Sequence, residues 1–207
     1  MYLYIMSNLL ESLPLWVFII PFIIHIYSTN YLTNLKLPNK YNHQNLYDII
    51  ASNTINLNKF SYIINYLCLI FIIPVIFNFK FVYLIRFFKY YSILILFRSI
   101  LTNVTILPSC HSENCDDYDY DYEYYGIFRY INGHCNDKIF SGHVSIIILL
   151  YYIIYKNKLL SPLFMFIMLL LLFIVSILII MVRWHYTIDV LLAYIICGLI
   201  ICYAPNL

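Results

Sequence analysis

The chain has 207 residues, enough for one domain. It is 63% apolar with a mean hydropathy of +0.82, well above a soluble globular protein, and reads as a multi-span membrane protein. The formal net charge of only +2 provides no basic field and excludes nucleic acid as a partner.

Residues 1–14 hold no Lys or Arg and one acid, Glu11. Without a basic leading region or a small-residue cleavage site, no removable signal peptide is expected. Leu15 to Tyr27 is the first predicted span, short, with Pro21 and His25 inside it. His25 reads as a packed or span-end histidine rather than a ligand. Residues 28–59 follow as a polar, Asn-rich loop containing Leu37-Pro38-Asn39 and Leu46-Tyr47-Asp48. Phe60 to Phe79 is the second span, with Pro74 expected to kink it. The third runs from Phe81 to about Leu107 and is stopped by Pro108. It carries Arg86 and Lys89 near its start and Arg98 well inside. An arginine within a span calls for a carboxylate or a phosphate.

Residues 109–138 form a second polar loop. Six acids between Glu113 and Glu123 alternate with Tyr118, Tyr120, Tyr122, Tyr124 and Tyr125. The plain reading is a solvated acidic loop. The sharper one is an aromatic, acidic site for a quaternary ammonium group such as choline. Cys110, Cys115 and Cys135 lie in this loop, enough for one disulfide with one cysteine over if it faces an oxidising lumen. With His111 and His134 they fit no standard zinc spacing, so no metal is expected. Cys68, Cys197 and Cys202 lie in apolar runs and read as small buried hydrophobes. Asn103-Val104-Thr105 matches a glycosylation sequon but sits at a span end and is expected to be unmodified.

The fourth span is Ile139 to Tyr155, the fifth Leu159 to Val182 and the sixth His185 to Tyr203. The expected fold is therefore all-α: six transmembrane helices in one bundle, a single catalytic domain over 1–207 with polar lumenal loops at 28–59 and 109–138. Six spans place loops one, three and five on one face. Charge density in the short loops, with Lys80, Arg86, Lys89, Lys156 and Lys158, favours those as cytoplasmic. The long loops then face the lumen or exterior.

Two polar patches sit on that face, each opening an apolar run: Ser141-Gly142-His143 and His185-Tyr186-Thr187-Ile188-Asp189. Histidines and a carboxylate at membrane segment ends are costly unless used. On a helix His185 and Asp189 are i, i+4 and share a face, so the carboxylate can orient the imidazole. His143 can then donate a proton. This is equipment for phosphoryl transfer through a histidine nucleophile.

These residues resemble the sphingomyelin synthase family, a branch related to lipid phosphate phosphatases. Cys135-Asn136-Asp137-Lys138-Ile139-Phe140-Ser141-Gly142-His143 is similar to the family's C-G-D-[YF]-[LI]-[FY]-S-G-H. His185-Tyr186-Thr187-Ile188-Asp189-Val190, with Ala193-Tyr194, is similar to its H-Y-[ST]-[IV]-D-V-x-x-A-Y. Arg86-Phe87-Phe88, Arg98, Val104-Thr105 and Leu107-Pro108 resemble its third-span motif, and Leu37-Pro38-Asn39 more weakly its P-L-P-D. The chain departs from the pattern at Lys36, Asn39, Leu101-Thr102, Asn136 and Lys138. The resemblance implies His143, His185 and Asp189 as catalytic residues, with Asp137, Ser141, Gly142 and Tyr186 at the substrate, and Arg98 there too, supporting the phosphate, or else bracing the bundle. It implies transfer of phosphocholine from phosphatidylcholine to ceramide, giving sphingomyelin and diacylglycerol, without metal or cofactor. The expected setting is the Golgi or plasma membrane, with the site facing lumen or exterior. The alternatives are an ethanolamine or inositol head group, a lipid phosphate phosphatase, and a non-catalytic lipid transporter.

Overall fold

The computed structural model describes residues 12–34, 47–78, 80–105 and 139–204. A 3-10 turn at Leu15–Ile19 leads into α1, Ile20–Asn34. A short α2 spans Ile49–Ser52. The longer helices are α3 (Tyr62–Phe77), α4 (Phe81–Val104), α5 (Gly142–Lys156), α6 (Pro162–Met181) and α7 (Thr187–Tyr203). No strand occurs among the described residues. Each segment predicted as a span holds one long helix. Of these, α6 is long and apolar enough by itself to cross a membrane.

The helix ends follow local chemistry that hydropathy does not register. α6 begins with Ser161 as N-cap and Pro162 at its first position, where the missing N–H costs nothing. α5 begins at Gly142 rather than Ile139, because Ser141 is extended and its Oγ accepts from Val144 N–H at 3.4 Å. α3 runs unbroken through Pro74 and stops at Phe77, where Asn78 donates from Nδ2 to the Pro74 carbonyl at 3.0 Å. α1 continues to Asn34, so the loop predicted from residue 28 starts later. α4 ends at Val104, not Leu107, which puts Arg98 in its last two turns.

Two connections close with Schellman motifs. After α5, Lys158 takes a left-handed φ of 51°, Lys158 N–H bonds Tyr155 O, and Leu159 N–H bonds Ile154 O. After α6, Arg183 takes a left-handed φ of 61°, with Arg183 N–H on Ile180 O and Trp184 N–H on Ile179 O. The second motif turns the chain so that Trp184, His185 and Tyr186 precede α7.

α5 is the central helix and packs against α3, α4, α6 and α7. Phe140, Val144, Ile147, Leu149 and Ile154 are fully buried. α1 packs on α4, with Phe22 stacked on Phe88 at 5.1 Å between ring centres. His25 is a packed histidine: it is buried and its Nδ1 lies 3.0 Å from Ser99 Oγ. Inside the bundle, Ser176 donates to the Leu172 carbonyl or meets Tyr194 Oη at 2.9 Å, which ties α6 to α7. Of the three cysteines expected to be buried, only Cys197 is. Cys68 is half-buried and Cys202 is exposed, because the helices turn those positions outward. Cys110, Cys115 and Cys135, the tyrosine-rich acidic stretch and Leu37-Pro38-Asn39 lie outside the described residues.

Candidate active site

The start of α5 and the turn into α7 meet at one end of the bundle. Ser141 N–H points to the Asp189 carbonyl at 3.4 Å. The His143 ring lies 5.0 Å from the Trp184 ring, centre to centre, tilted by 41°. Trp184 precedes His185 in the chain, so the two histidines occupy the same end of the molecule. Arg98 joins them from α4: a Cβ built on Gly142 would lie 2.6 Å from Arg98 Nη1 and 3.7 Å from its Cζ. Glycine leaves that space to the guanidinium, which a larger residue would displace. Gly142 therefore acts through close approach, and its φ is not what requires it.

His185 Nδ1 faces Asp189 Oδ2 at 3.5 Å. The spacing predicted this contact, but the route differs from the one expected. His185 is not helical: α7 starts at Thr187, with Tyr186 extended as its N-cap. Asp189 is the third residue of α7, and its Oδ2 accepts from Tyr186 N–H at 2.9 Å. The carboxylate thus caps the helix and faces the imidazole with the same oxygen, where a negative charge also suits the helix dipole. Asp189 is completely buried and His185 is 8% exposed. Nδ1 is thus the ring nitrogen turned toward the carboxylate, and Nε2 is the one turned away from it.

Of the predicted site residues, Arg98, Ser141, Gly142, His143, His185, Tyr186 and Asp189 come together in this way. Ser141 and Tyr186 are both buried and serve as helix caps. Asp137 lies outside the described residues. Among the described residues, no three His, Cys, Asp or Glu side chains are grouped to hold a metal ion.

Sequence reading missed three contributors. Trp184 was lost among the chain's 23 tyrosines and 15 phenylalanines. Asp48 and Thr187 are the others. Asp48 Oδ1 accepts from Ile50 N–H and Ala51 N–H, both at 3.0 Å, which caps α2. The same carboxylate accepts from Thr187 N–H at 2.6 Å and Thr187 Oγ1 at 2.8 Å. One side chain thus caps two helices 139 residues apart. An aspartate before Ile49-Ile50-Ala51 is a helix-start signal, but its distant partner has no sequence signature.

Burial pushes the Asp48 carboxyl up, but the hydrogen bonds from Ala51, Thr187 and Ile50 outweigh it and hold the group below its ordinary 3.8. A depressed folded value means that the stabilisation is fully present above 3.8 and fades as pH falls through the lower, folded value. The melting-temperature difference between wild type and Asp48→Asn should stay constant from about pH 7 to about pH 5 and shrink below about pH 4. A difference that instead grows on acidification would contradict this assignment.

Residues 134–206 match the family model described as PAP2 superfamily C-terminal. The match relates this part of the chain to proteins of the lipid phosphate phosphatase type, whose chemistry is hydrolysis or transfer of lipid phosphate groups. It contains His143, His185 and Asp189, whereas Arg98 and Asp48 lie before it. No curated protein and no solved structure matches the chain.

Proposed function

We propose that this protein is a membrane-embedded transferase that moves a phosphorylated head group between lipids, phosphocholine from phosphatidylcholine to ceramide in the first instance. The observation that carries this reading is the meeting of Arg98 with the first turn of α5, beside His143 and the His185–Asp189 pair. A guanidinium against a helix N-terminus brings two positive poles together. An anion beside both would be attracted by both, and the helix N-terminus is itself an anion site. A lipid phosphate bound there would lie among the two histidines.

His185 Nε2 attacks phosphorus and the bond to the diacylglycerol oxygen breaks. His143, as imidazolium, gives its proton to that oxygen, so diacylglycerol leaves neutral. Asp189, facing Nδ1, stabilises the charge that develops on His185. The head group is then held on Nε2 as a phosphohistidine diester. The primary hydroxyl of ceramide attacks phosphorus, now-neutral His143 takes its proton, and the N–P bond breaks. Sphingomyelin leaves and both histidines return to their starting states. Arg98 and the N–H groups of the first turn of α5 offset the charge on the phosphoryl oxygens throughout.

In this reading six helices cross a membrane, with the site on the lumenal or exterior side of the Golgi or plasma membrane. α6 is about 30 Å long by helix rise, the thickness of a bilayer core. Its outward residues, among them Leu163, Phe166, Leu170, Phe173 and Ile177, are large, apolar and exposed, a surface suited to lipid.

The PAP2 match supports a second reading, in which water is the acceptor and the lipid phosphate is hydrolysed. One experiment separates them. The chain is expressed in membranes lacking such activity, supplied with fluorescent ceramide and phosphatidylcholine, and the products are resolved. Labelled sphingomyelin is the expected product. An ethanolamine or inositol phosphoceramide, formed only when that donor is supplied, would keep the mechanism and change the substrate. Release of a soluble phosphate product without labelled lipid would replace transferase by hydrolase.

A further inference from the structure

Four hydrogen bonds tie residues 48–57 to the α6–α7 turn, and they bracket His185 on both sides. Before His185, Leu57 N–H bonds the Met181 carbonyl at 3.0 Å, and Arg183 Nη2 donates to the Thr54 carbonyl at 3.1 Å. After it, Asp48 receives the two bonds from Thr187. Arg183 holds the left-handed C′ position of α6, where glycine is usual and a side chain is disfavoured. The tie to Thr54 gives a reason for an arginine at that position.

We propose that segment 48–57 is a brace for the nucleophile, with Asp48 and Arg183 as positioning residues for His185. The inference rests on the catalytic reading above. His185 belongs to no helix, so its backbone is fixed by what flanks it. The Schellman motif sets the chain direction on one side and Asp189 caps Tyr186 on the other. Neither holds the turn against the rest of the bundle. The brace does, by joining it to α2 and to the segment that enters α3, beside the Trp184–His143 ring contact and the Ser141–Asp189 bond that join it to α5.

Two variants separate the brace from local folding. Asp48→Asn keeps a good N-cap for α2 but leaves a single acceptor oxygen where two now serve both helices. Arg183→Gly suits the left-handed backbone and removes the tie to Thr54 along with the side chain's packing. The full chain is assayed in membranes for head-group transfer, and hydrogen exchange is followed in the peptides covering residues 183–190 and 141–150. Each variant is expected to lower kcat about tenfold to a hundredfold with KM changed less than about threefold, the signature of a misplaced catalytic group. Exchange at the Thr187 amide should rise at least about tenfold in Asp48→Asn, while the Ser145 amide, bonded to Ser141 O inside α5, is unchanged. Unchanged exchange at Thr187 would overturn the brace. Faster exchange with wild-type kcat would overturn its role in positioning. A wild-type chain that transfers no head group would instead overturn the catalytic reading, and the exchange arm would still decide whether the brace exists.

Discussion

The His185→Ala variant is expected to lose turnover by at least about ten-thousandfold, because it removes the group that bonds to phosphorus rather than one that assists. The fold should survive. His185 lies outside α7, and the cap from Asp189 Oδ2 to Tyr186 N–H uses no atom of the imidazole. Melting temperature should therefore stay within a few degrees of wild type. His143→Ala should lose less, about a hundredfold to ten-thousandfold, as befits a proton donor. The measurement is turnover of fluorescent lipid at saturating donor, with thermal unfolding of each variant alongside. His185→Ala retaining a tenth of wild-type turnover would remove it from the reaction.

Gly142→Ala is expected to reduce kcat/KM about a hundredfold, although alanine is the better helix former. The added methyl would sit 2.6 Å from Arg98 Nη1, closer than side-chain carbons approach, so the guanidinium end of the buried Arg98 has to shift. The guanidinium must move from the first turn of α5, and the phosphate site loses its cation. Gly198 is the control: nothing lies within 4 Å of a Cβ there, so Gly198→Ala should leave activity unchanged. Equal kinetics for the two variants would mean that the position of Arg98 does not matter to the reaction.

Much of this architecture was legible because apolar runs and their polar breaks are large signals. Every predicted span holds a helix. The starts of α5 and α7 were misplaced by two or three residues, since hydropathy cannot see that Ser141 and Tyr186 are extended caps. The His185–Asp189 contact was expected from helical spacing and is made instead through a cap, because a carboxylate three residues into a helix reaches back to the chain before it. Gly142 and Arg98 were each singled out in the sequence, but only the packing of α4 on α5 shows that one makes space for the other. Asp48, Arg183 and Thr187 were not legible as a unit. Their bonds join segments more than a hundred residues apart, and one-chain periodicity carries no record of such pairs.

The most direct test of the account is to incubate the wild-type protein with phosphatidylcholine and no acceptor, and then read the mass of the peptide that carries His185. A covalent head-group intermediate predicts a phosphocholine adduct on His185, stable to alkali, labile to acid, and discharged when ceramide is added. Diacylglycerol should be released in an amount matching the adduct. An unmodified His185 in a preparation that transfers phosphocholine once ceramide is supplied would contradict it, and would leave direct transfer between the two lipids as the mechanism.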